Sequence, residues 1–334
     1  MTWKCLLAMT PIGIPIPKKA YGDKRMSNNK RIFDYEEKRV RMIRTESVIL
    51  IIVLTTFCLL CQASADPIVT IYELQYTTDP NGVGPYEDNE VDCYGGIVVH
   101  KYPGWNMKIT LYDPNHPDGW GGIAVKDFDN GNLFDNVNVG DRISLTNTMV
   151  EEFRGNTQLR FESQSAFTIE SSGNALPEPI PISPNDIASP VYQAEPEGWF
   201  VADHTAEKYE GMWVRVENVK VIERDLGKAY DNYVLQDYDN DDPNQSCWSS
   251  DYMNESKIDD YHPFVELGRR FCSVSGIVEQ YVGYKNEYDW DYYQLLTTRT
   301  GDLKRHTPAD INGDCMVDST DLALFCQDWL WGTE

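Results

Sequence analysis

The feature that most constrains this 334-residue chain is an internal repeat with an offset of about 120–130 residues. Val139–Leu145 (VGDRISL) aligns with Leu267–Val274 (LGRRFCSV), and each segment leads into a stretch rich in β-branched and aromatic residues. Two pairs of upstream segments align in the same order: Leu111–Asp113 with Leu235–Asp237, and Cys93–Val99 with Met212–Val219. Because the matches are collinear, we expect two copies of one domain plan.

Each copy has the local pattern of β structure. Strands of alternating or β-branched residues are separated by clusters of Gly, Asn, Asp and Pro, and no apolar stripe of helical period exceeds two turns. About five strands in roughly 100 residues favour a small closed barrel over a two-sheet sandwich. We therefore predict an all-β fold with one barrel at residues 66–175 and a second at 201–305, separated by a proline-rich linker at 176–200.

Residues 1–65 are predicted to be an upstream extension and a signal peptide. An uncharged apolar run, Val48–Leu60, is followed by Ala63-Ser64-Ala65, the small-x-small pattern that precedes signal-peptidase cleavage. The run is shorter than the roughly 20 apolar residues of a transmembrane helix, so a retained anchor is the less favoured alternative. We expect cleavage before Asp66 and a secreted bacterial protein, extracellular or on the cell surface, with no membrane span after cleavage.

Charge limits what such a protein can bind. The chain has 29 Lys and Arg against 53 Asp and Glu, a formal net charge of −24. Phosphate binding depends mainly on clustered Lys and Arg, so this balance argues against a broad nucleic-acid or anionic-membrane footprint. Any binding of anions must come from a local group of basic residues.

Several short segments across residues 68–303 resemble a known family. They are Thr70–Thr78, Gly95–Val99, Val139–Arg142, the Leu176–Pro179 linker and Tyr209–Val219. Together they resemble the OB-fold modules that precede catalytic domains in bacterial extracellular nucleases. The resemblance implies two tandem OB-like barrels. Those nucleases carry a separate catalytic domain, and this chain is too short to hold such a domain beside two barrels. We therefore do not expect nuclease activity from the resemblance.

OB-fold barrels bind single strands with aromatic platforms beside a basic groove, which singles out interleaved residues of the first copy. The candidate ligand-binding residues are Tyr102, Trp105, Lys108, Tyr112 and Lys126. The alternative is that these aromatics belong to the core and rim of a barrel.

In the second copy, aromatic residues crowd one hairpin: Tyr281, Tyr284, Tyr288, Trp290, Tyr292 and Tyr293. This composition would suit stacking on sugar rings or on bases. Cross-strand aromatic pairs within a twisted hairpin are the structural alternative.

The most specific motif lies in residues 306–334. Oxygen-bearing side chains occupy positions 1, 3, 5, 9 and 12 of a calcium-type loop, with a backbone carbonyl at position 7. In order, the predicted Ca²⁺ ligands are Asp310, Asn312, Asp314, Met316, Asp318 and Asp321. An amphipathic helix that packs its apolar face should follow, marked by Leu322, Leu324, Phe325, Trp329 and Leu330.

This segment resembles one repeat of a type I dockerin, in which Asp stands at position 12. The resemblance implies a cohesin-like partner that contacts Ser319 and Thr320, at positions 10 and 11. The chain departs from the family in two ways. It carries one repeat where a dockerin normally has two, and Cys315 occupies position 6, where the family has a turn-forming Gly.

Five cysteines follow the predicted cleavage site: Cys93, Cys247, Cys272, Cys315 and Cys326. An exported protein permits disulfides, and an odd number leaves at least one thiol unpaired or joined to another chain. We expect the pairs Cys315–Cys326 and Cys247–Cys272, with Cys93 left over.

No nucleophile elbow, metalloprotease helix or phosphate-binding Gly loop occurs in the sequence, so an enzyme is not favoured. The preferred interpretation is a secreted, non-catalytic binding or scaffold protein attached through a calcium-dependent, dockerin-like tail. One alternative is an accessory protein of the extracellular-nuclease type that binds single-stranded nucleic acid. The other is a protein associated with polysaccharide degradation, since dockerins occur on such enzymes.

Overall fold

A computed structural model describes residues 66–104, 107–224, 232–240, 242, 245–254, 262–285 and 288–331. The predicted signal peptide and Trp105 lie outside the described residues. The strands are β1 (Ile68–Val69), β2 (Glu90–Tyr102), β3 (Lys108–Tyr112), β4 (Gly122–Asp127), β5 (Arg142–Phe153), β6 (Asn156–Phe161), β7 (Ala166–Ser171), β8 (Ile180–Ile182), β9 (Val191–Ala194), β10 (Glu197–Phe200), β11 (Trp213–Glu223), β12 (Asn232–Asp237), β13 (Ser246–Ser250), β14 (Arg270–Lys285), β15 (Tyr288–Leu296) and β16 (Leu303–Arg305). The α-helices are α1 (Ile71–Gln75), α2 (Pro184–Ile187) and α3 (Ser319–Trp331), and 3-10 turns span Phe134–Asn136, Thr205–Tyr209 and Thr300–Asp302.

The first sheet closes on itself to form a barrel, called barrel 1. Its strand order is β2-β3-β4-β6-β5, and β5 also pairs with β2. β4 and β6 run parallel, whereas the other neighbours in the barrel are antiparallel. Alternate residues of the strands, such as Ile109, Leu111, Ile123 and Val125, fill the interior, as the period of a half-buried strand requires.

The second sheet repeats this plan in barrel 2. Its strand order is β11-β12-β13-β15-β14, closed by pairing of β14 with β11, and its β13–β15 pair is parallel. Five strands in this Greek-key order form the OB-fold. The all-β prediction with two tandem barrels is therefore confirmed. The aligned repeat segments lie on equivalent strands: β2 with β11, β3 with β12, and β5 with β14.

The proline-rich segment 176–200 is built into the second sheet. It forms β8, which pairs with β11, the short helix α2, and the β9–β10 hairpin, which pairs with β15. The sequence suggested an extended connector instead. Pro181 fits in β8 because this strand pairs on one side only, with β11. Proline has no backbone N–H, but on the unpaired side of the strand no hydrogen bond to a neighbouring strand is lost.

Residues 66–334 form one compact unit, in which barrel 2 covers the outer face of β3 and β4. At this contact Gly122 and Gly211 meet so closely that a Cβ atom on Gly122 would lie 2.2 Å from the Gly211 carbonyl carbon. Every residue of β3 and β4 is consequently buried, on both faces of the strands. Tyr112 packs into the hydrophobic core of barrel 2.

The C-terminal segment is attached to barrel 2 by a disulfide between Cys272, on β14, and Cys315. Both expected pairs, Cys315–Cys326 and Cys247–Cys272, are therefore wrong. Cys247 is fully buried within the core of barrel 2, and Cys326 is an exposed thiol on α3. Spacing along the chain does not show that the calcium-type loop lies against β14. Among the described residues, no helix has both the length and the apolar character needed to cross a membrane.

Candidate functional site

A pocket of about 260 Å³ lies between the two barrels, and we call it the interbarrel pocket. On barrel 1 it lies at the outer face of β3 and β4, beside the β5–β6 turn, where OB-folds carry their ligand sites. Barrel 2 supplies the opposite wall. The lining residues are Tyr102, Lys108, Lys126, Phe153, Arg154, Asn156, Gln158, Tyr252, Glu279, Gln280, Tyr281 and Gln294.

Three cationic side chains of barrel 1 meet in this pocket. The Lys126 ammonium lies 3.8 Å from the centroid of the Phe153 ring. The Arg154 guanidinium lies 5.0 Å from the centroid of the Tyr281 ring and donates a hydrogen bond of 2.5 Å to its hydroxyl. Lys108 is 7% exposed and forms an ion pair with Glu279 of barrel 2. With one carboxylate against three cations, the pocket is basic within an acidic protein.

Burial changes the proton affinity of both lysines. Burial lowers the pKa of Lys108 to about 7, with the Lys126 ammonium adding to the shift and Glu210 opposing it. Burial likewise lowers the pKa of Lys126 to about 8; Glu151 opposes this shift, whereas Arg154 and Arg160 add to it. A buried ammonium that gains a phosphate partner recovers part of the solvation it has lost, so both lysines favour an anionic ligand.

Aromatic rings form much of the remaining surface of the pocket. Tyr102 and Tyr252 meet edge to face with centroids 6.2 Å apart, and the Tyr102 hydroxyl donates to the Tyr252 carbonyl at 3.2 Å. Phe153 is 38% exposed and stands at the rim. Tyr281, in contrast, is buried. Rings beside cations are the combination with which proteins hold a base and its phosphate.

The predicted ligand-binding residues are partly brought together. Tyr102, Lys108 and Lys126 line the interbarrel pocket, as their spacing on adjacent strands suggested. Tyr112 does not, because its side chain points from the opposite end of β3 into the core of barrel 2. Its assignment as a ligand-binding residue is therefore not supported by its position.

Sequence reasoning missed Phe153 and Arg154, which lie at the β5–β6 turn. Arg154 and Gly155 both have positive φ, of 59° and 87°, as a type I′ hairpin turn requires. A Gly between two strand-like runs was the available signal for this turn. Glu279 was also missed, since nothing in its local sequence shows that β14 faces barrel 1.

The aromatic hairpin of barrel 2 is mainly structural. Trp290, Tyr292 and Tyr293 are at most 1% exposed, and Tyr281 is also buried. The rings pack with Trp248, whose centroid lies 4.8 Å from that of Tyr292. Tyr284, at 71% exposed, is the member of the group that stands fully in solvent. Cross-strand packing therefore explains most of this hairpin better than ligand stacking does.

The calcium-type loop is folded around its first and last acidic residues, Asp310 and Asp321. Asp310 accepts hydrogen bonds from the backbone N–H groups of Gly313 and Cys315, at 2.9 and 2.8 Å. Asp321, the third residue of α3, accepts from three backbone N–H groups of the loop: Ile311, Asn312 and Asp318. These hydrogen bonds join the two ends of the loop to its middle, so that its oxygen-bearing residues lie close together.

Cys315 has the backbone conformation that position 6 of such a loop requires. Its φ is +67°, in the left-handed region that normally selects Gly, and its sulfur is bonded to Cys272. Cys272 and Cys315 also lie near Asp310, but a disulfide sulfur is not a thiolate and is no metal ligand there. The available donors are oxygens, which suits Ca²⁺.

No family model matches the sequence, and the comparison with curated proteins found no match. Among solved structures, the OB domain of a Methanosarcina mazei protein is 13% identical with a TM-score of 0.23, covering 28% of this chain and 84% of that chain. A murine DNA-binding protein bound to double-stranded DNA is 14% identical with a TM-score of 0.30, covering 63% and 94%. Fission yeast Pot1 with single-stranded DNA is 11% identical with a TM-score of 0.27, covering 71% and 89%. Similarity at this level leaves the ligand to be argued from the side chains of this chain.

Proposed function

We propose that this protein binds single-stranded nucleic acid in the interbarrel pocket. The observation that carries the proposal is the convergence of Lys108, Lys126 and Arg154 with aromatic rings on the ligand-binding face of an OB-fold barrel. Stacking on the rings accommodates any base, and the cations attract the phosphates. The proposed function is non-catalytic binding.

The local charge explains how a chain of net charge −24 can bind an anion. Arg154 is exposed at the rim and the Lys126 ammonium lies behind it against the Phe153 ring, whereas Glu279 is buried at the Lys108 ammonium. An incoming phosphate therefore meets positive charge first. The surrounding acidic surface repels the rest of a polyanion, so we expect modest affinity and few phosphate contacts.

Fluorescence anisotropy of the purified protein with a labelled single-stranded oligonucleotide, across a salt series, tests the proposal. We expect micromolar binding that weakens as salt rises, because phosphate contacts release counterions. Lys126→Ala should weaken binding several-fold and reduce the salt slope by about one unit. Lys220→Ala, on β11 of barrel 2 and outside the lining of the pocket, is the matched control. Absence of binding at low salt would refute the proposal.

We also propose that the C-terminal loop binds Ca²⁺. The closed loop, with Asp310 and Asp321 at 4% and 2% exposure and the predicted oxygen ligands at alternate positions, supports this proposal. Asp310, Asn312, Asp314, Asp318 and Asp321 would supply side-chain oxygens, and Met316 its carbonyl. A bound cation would neutralise the carboxylates that the loop gathers. Affinity on the order of 10⁻⁴ to 10⁻³ M is expected, as in extracellular modules.

Calorimetric titration with Ca²⁺ tests the tail directly. Asp310→Ala combined with Asp321→Ala should remove one site. Asp118→Asn combined with Glu217→Gln removes the same formal charge from barrel surfaces and should leave the stoichiometry unchanged. An unaltered stoichiometry in the first variant would contradict the assignment.

Export and a tail partner remain predictions from the sequence. Ser319 and Thr320 are exposed at the start of α3, where a cohesin-like partner could reach them. Retention on a cohesin column in Ca²⁺, lost on adding a chelator, would support that partner. Calcium-independent retention on an insoluble polysaccharide would instead favour the glycan alternative.

A further inference from the structure

We infer that the interbarrel pocket receives the end of a nucleic-acid strand and excludes its interior. This inference depends on the proposed function and adds the form of the ligand. It is carried by the way barrel 2 closes the ligand-binding face of barrel 1 on three sides.

The first closure is at the β5–β6 turn. The Val282 N–H of β14 donates to the Arg154 carbonyl at 2.7 Å, and the Gln280 N–H donates to Asn156 Oδ1 at 3.0 Å. Asn156 Nδ2 donates in return to the Gln280 carbonyl. A Cβ atom on Gly155 would lie 2.6 Å from Gln280 Oε1. The turn along which a strand would leave an OB-fold is therefore bonded to another domain.

The second closure is at the far ends of β3 and β4. There Gly122 and Gly211 are in backbone contact, and the Trp120 N–H donates to the Lys208 carbonyl at 2.6 Å. Thr110, midway along β3, is 1% exposed. In the described part of the chain, the outer face of these strands is therefore covered and leaves no path for a polymer.

The third closure is the pair Tyr102 and Tyr252. Their edge-to-face contact and hydrogen bond stand between the interbarrel pocket and a neighbouring cavity of about 410 Å³ lined by His100, Lys101 and Arg299. Among the described residues that line the pocket, Phe153 and Arg154 are the exposed ones, and their side chains form its rim although the backbone of their turn is bonded to β14. Lys108, which is 7% exposed, lies in the buried part of the pocket.

The volume agrees with a closed end. At about 260 Å³ the pocket is smaller than the roughly 300–1,000 Å³ of clefts that hold a drug-sized molecule. An open OB-fold groove, in comparison, covers about 4–16 nucleotides. The pocket therefore takes at most part of one terminal nucleotide: its base against the aromatic wall and its phosphate at the ammonium groups.

Comparison of a linear strand with a covalently closed circle of the same sequence tests the inference on the full protein. Both DNAs should be longer than the roughly 4–16 nucleotides of an OB-fold site, so that length does not limit binding. We expect the linear strand to bind roughly tenfold or more tighter than the circle, and a dinucleotide to compete with it. Equal affinity for the circle would overturn the inference while leaving the proposed function intact. If neither DNA binds at low salt, the proposed function itself fails.

Two exposed aromatic residues provide a matched pair of variants. Phe153→Ala removes the ring at the rim and should weaken linear-strand binding roughly tenfold, the effect of losing one stacked base. Tyr284→Ala removes a more exposed ring from β14 outside the pocket and should change nothing. Loss of binding in the Tyr284 variant with no change in the Phe153 variant would place the ligand outside the pocket and overturn the inference.

Discussion

At the scale of single residues, the two lysines of the interbarrel pocket set a pH limit on anion binding. A lysine is charged below its pKa, and burial lowers the pKa to about 7 for Lys108 and about 8 for Lys126. Oligonucleotide affinity should therefore fall as the pH rises from about 6.5 to 9. Anisotropy titrations at constant ionic strength measure this directly.

Lys126→Arg separates this effect from other titrations. Arginine stays charged throughout the range, so the variant should keep more of its affinity at high pH than the natural protein. Lys108 would still lose its proton near its pKa of about 7, so the fall in affinity at the lower end of the pH range should remain. A wild-type affinity that is constant across the whole range would contradict the assignment of these lysines to the ligand.

At the scale of elements, the disulfide ties the calcium-type loop and α3 to β14. Cys272 and Cys315 are separated by 43 residues, and in the chain-entropy model a crosslink of this span stabilises the folded state by about 4 kcal/mol. Replacing both residues by Ser should lower the free energy of unfolding by up to this amount in urea titrations. Cys326→Ser, which removes an exposed free thiol, is the control and should have no effect. Equal stability of the two variants would mean that the bridge does not form.

The elements themselves were predictable, but their packing was not. The alternation in β3, with Ile109 and Leu111 inside, follows from the period of a strand and is visible in the sequence. The burial of Lys108, Thr110 and Tyr112 on the outer face cannot be seen in the sequence, because it depends on where barrel 2 lies. For the same reason spacing placed Lys108 and Lys126 together correctly but could not identify Glu279 or the Cys272–Cys315 pair.

At the scale of the whole molecule, the two barrels share an acidic cluster made of the buried Glu207 and Glu210 and the half-buried Glu152. Glu207 accepts a hydrogen bond of 2.6 Å from the Tyr293 hydroxyl, and Glu210 accepts one of 2.8 Å from the Thr157 N–H of barrel 1. Within the described part of the chain, Glu207 Oε1 and Glu210 Oε2 are buried without a hydrogen-bond partner. Two such carboxylates are most stable when protonated.

This cluster makes the stability of the two-barrel unit depend on pH. Burial, reinforced by Glu152 and Asp291 and opposed by the Tyr293 hydrogen bond, raises the pKa of Glu207 to about 8 from 4.5. Between about pH 4.5 and pH 8, Glu207 is therefore protonated in the folded protein and ionised in the unfolded chain. The resulting stability, of order a few kcal/mol, is fully present below about pH 4.5 and is lost as the pH rises through about 8.

Glu207→Gln keeps the shape of the side chain but removes its titration. Urea unfolding at several pH values between about 5 and 8.5 should therefore show a shallower loss of stability in this variant than in the natural protein. Glu217→Gln, a 56% exposed glutamate on β11, is the matched control and should follow the natural profile. Because the opposite titration of Lys108 is common to all three proteins, the difference between them isolates Glu207. Identical slopes in the two variants would show that the titration of Glu207 does not cause the pH dependence of stability.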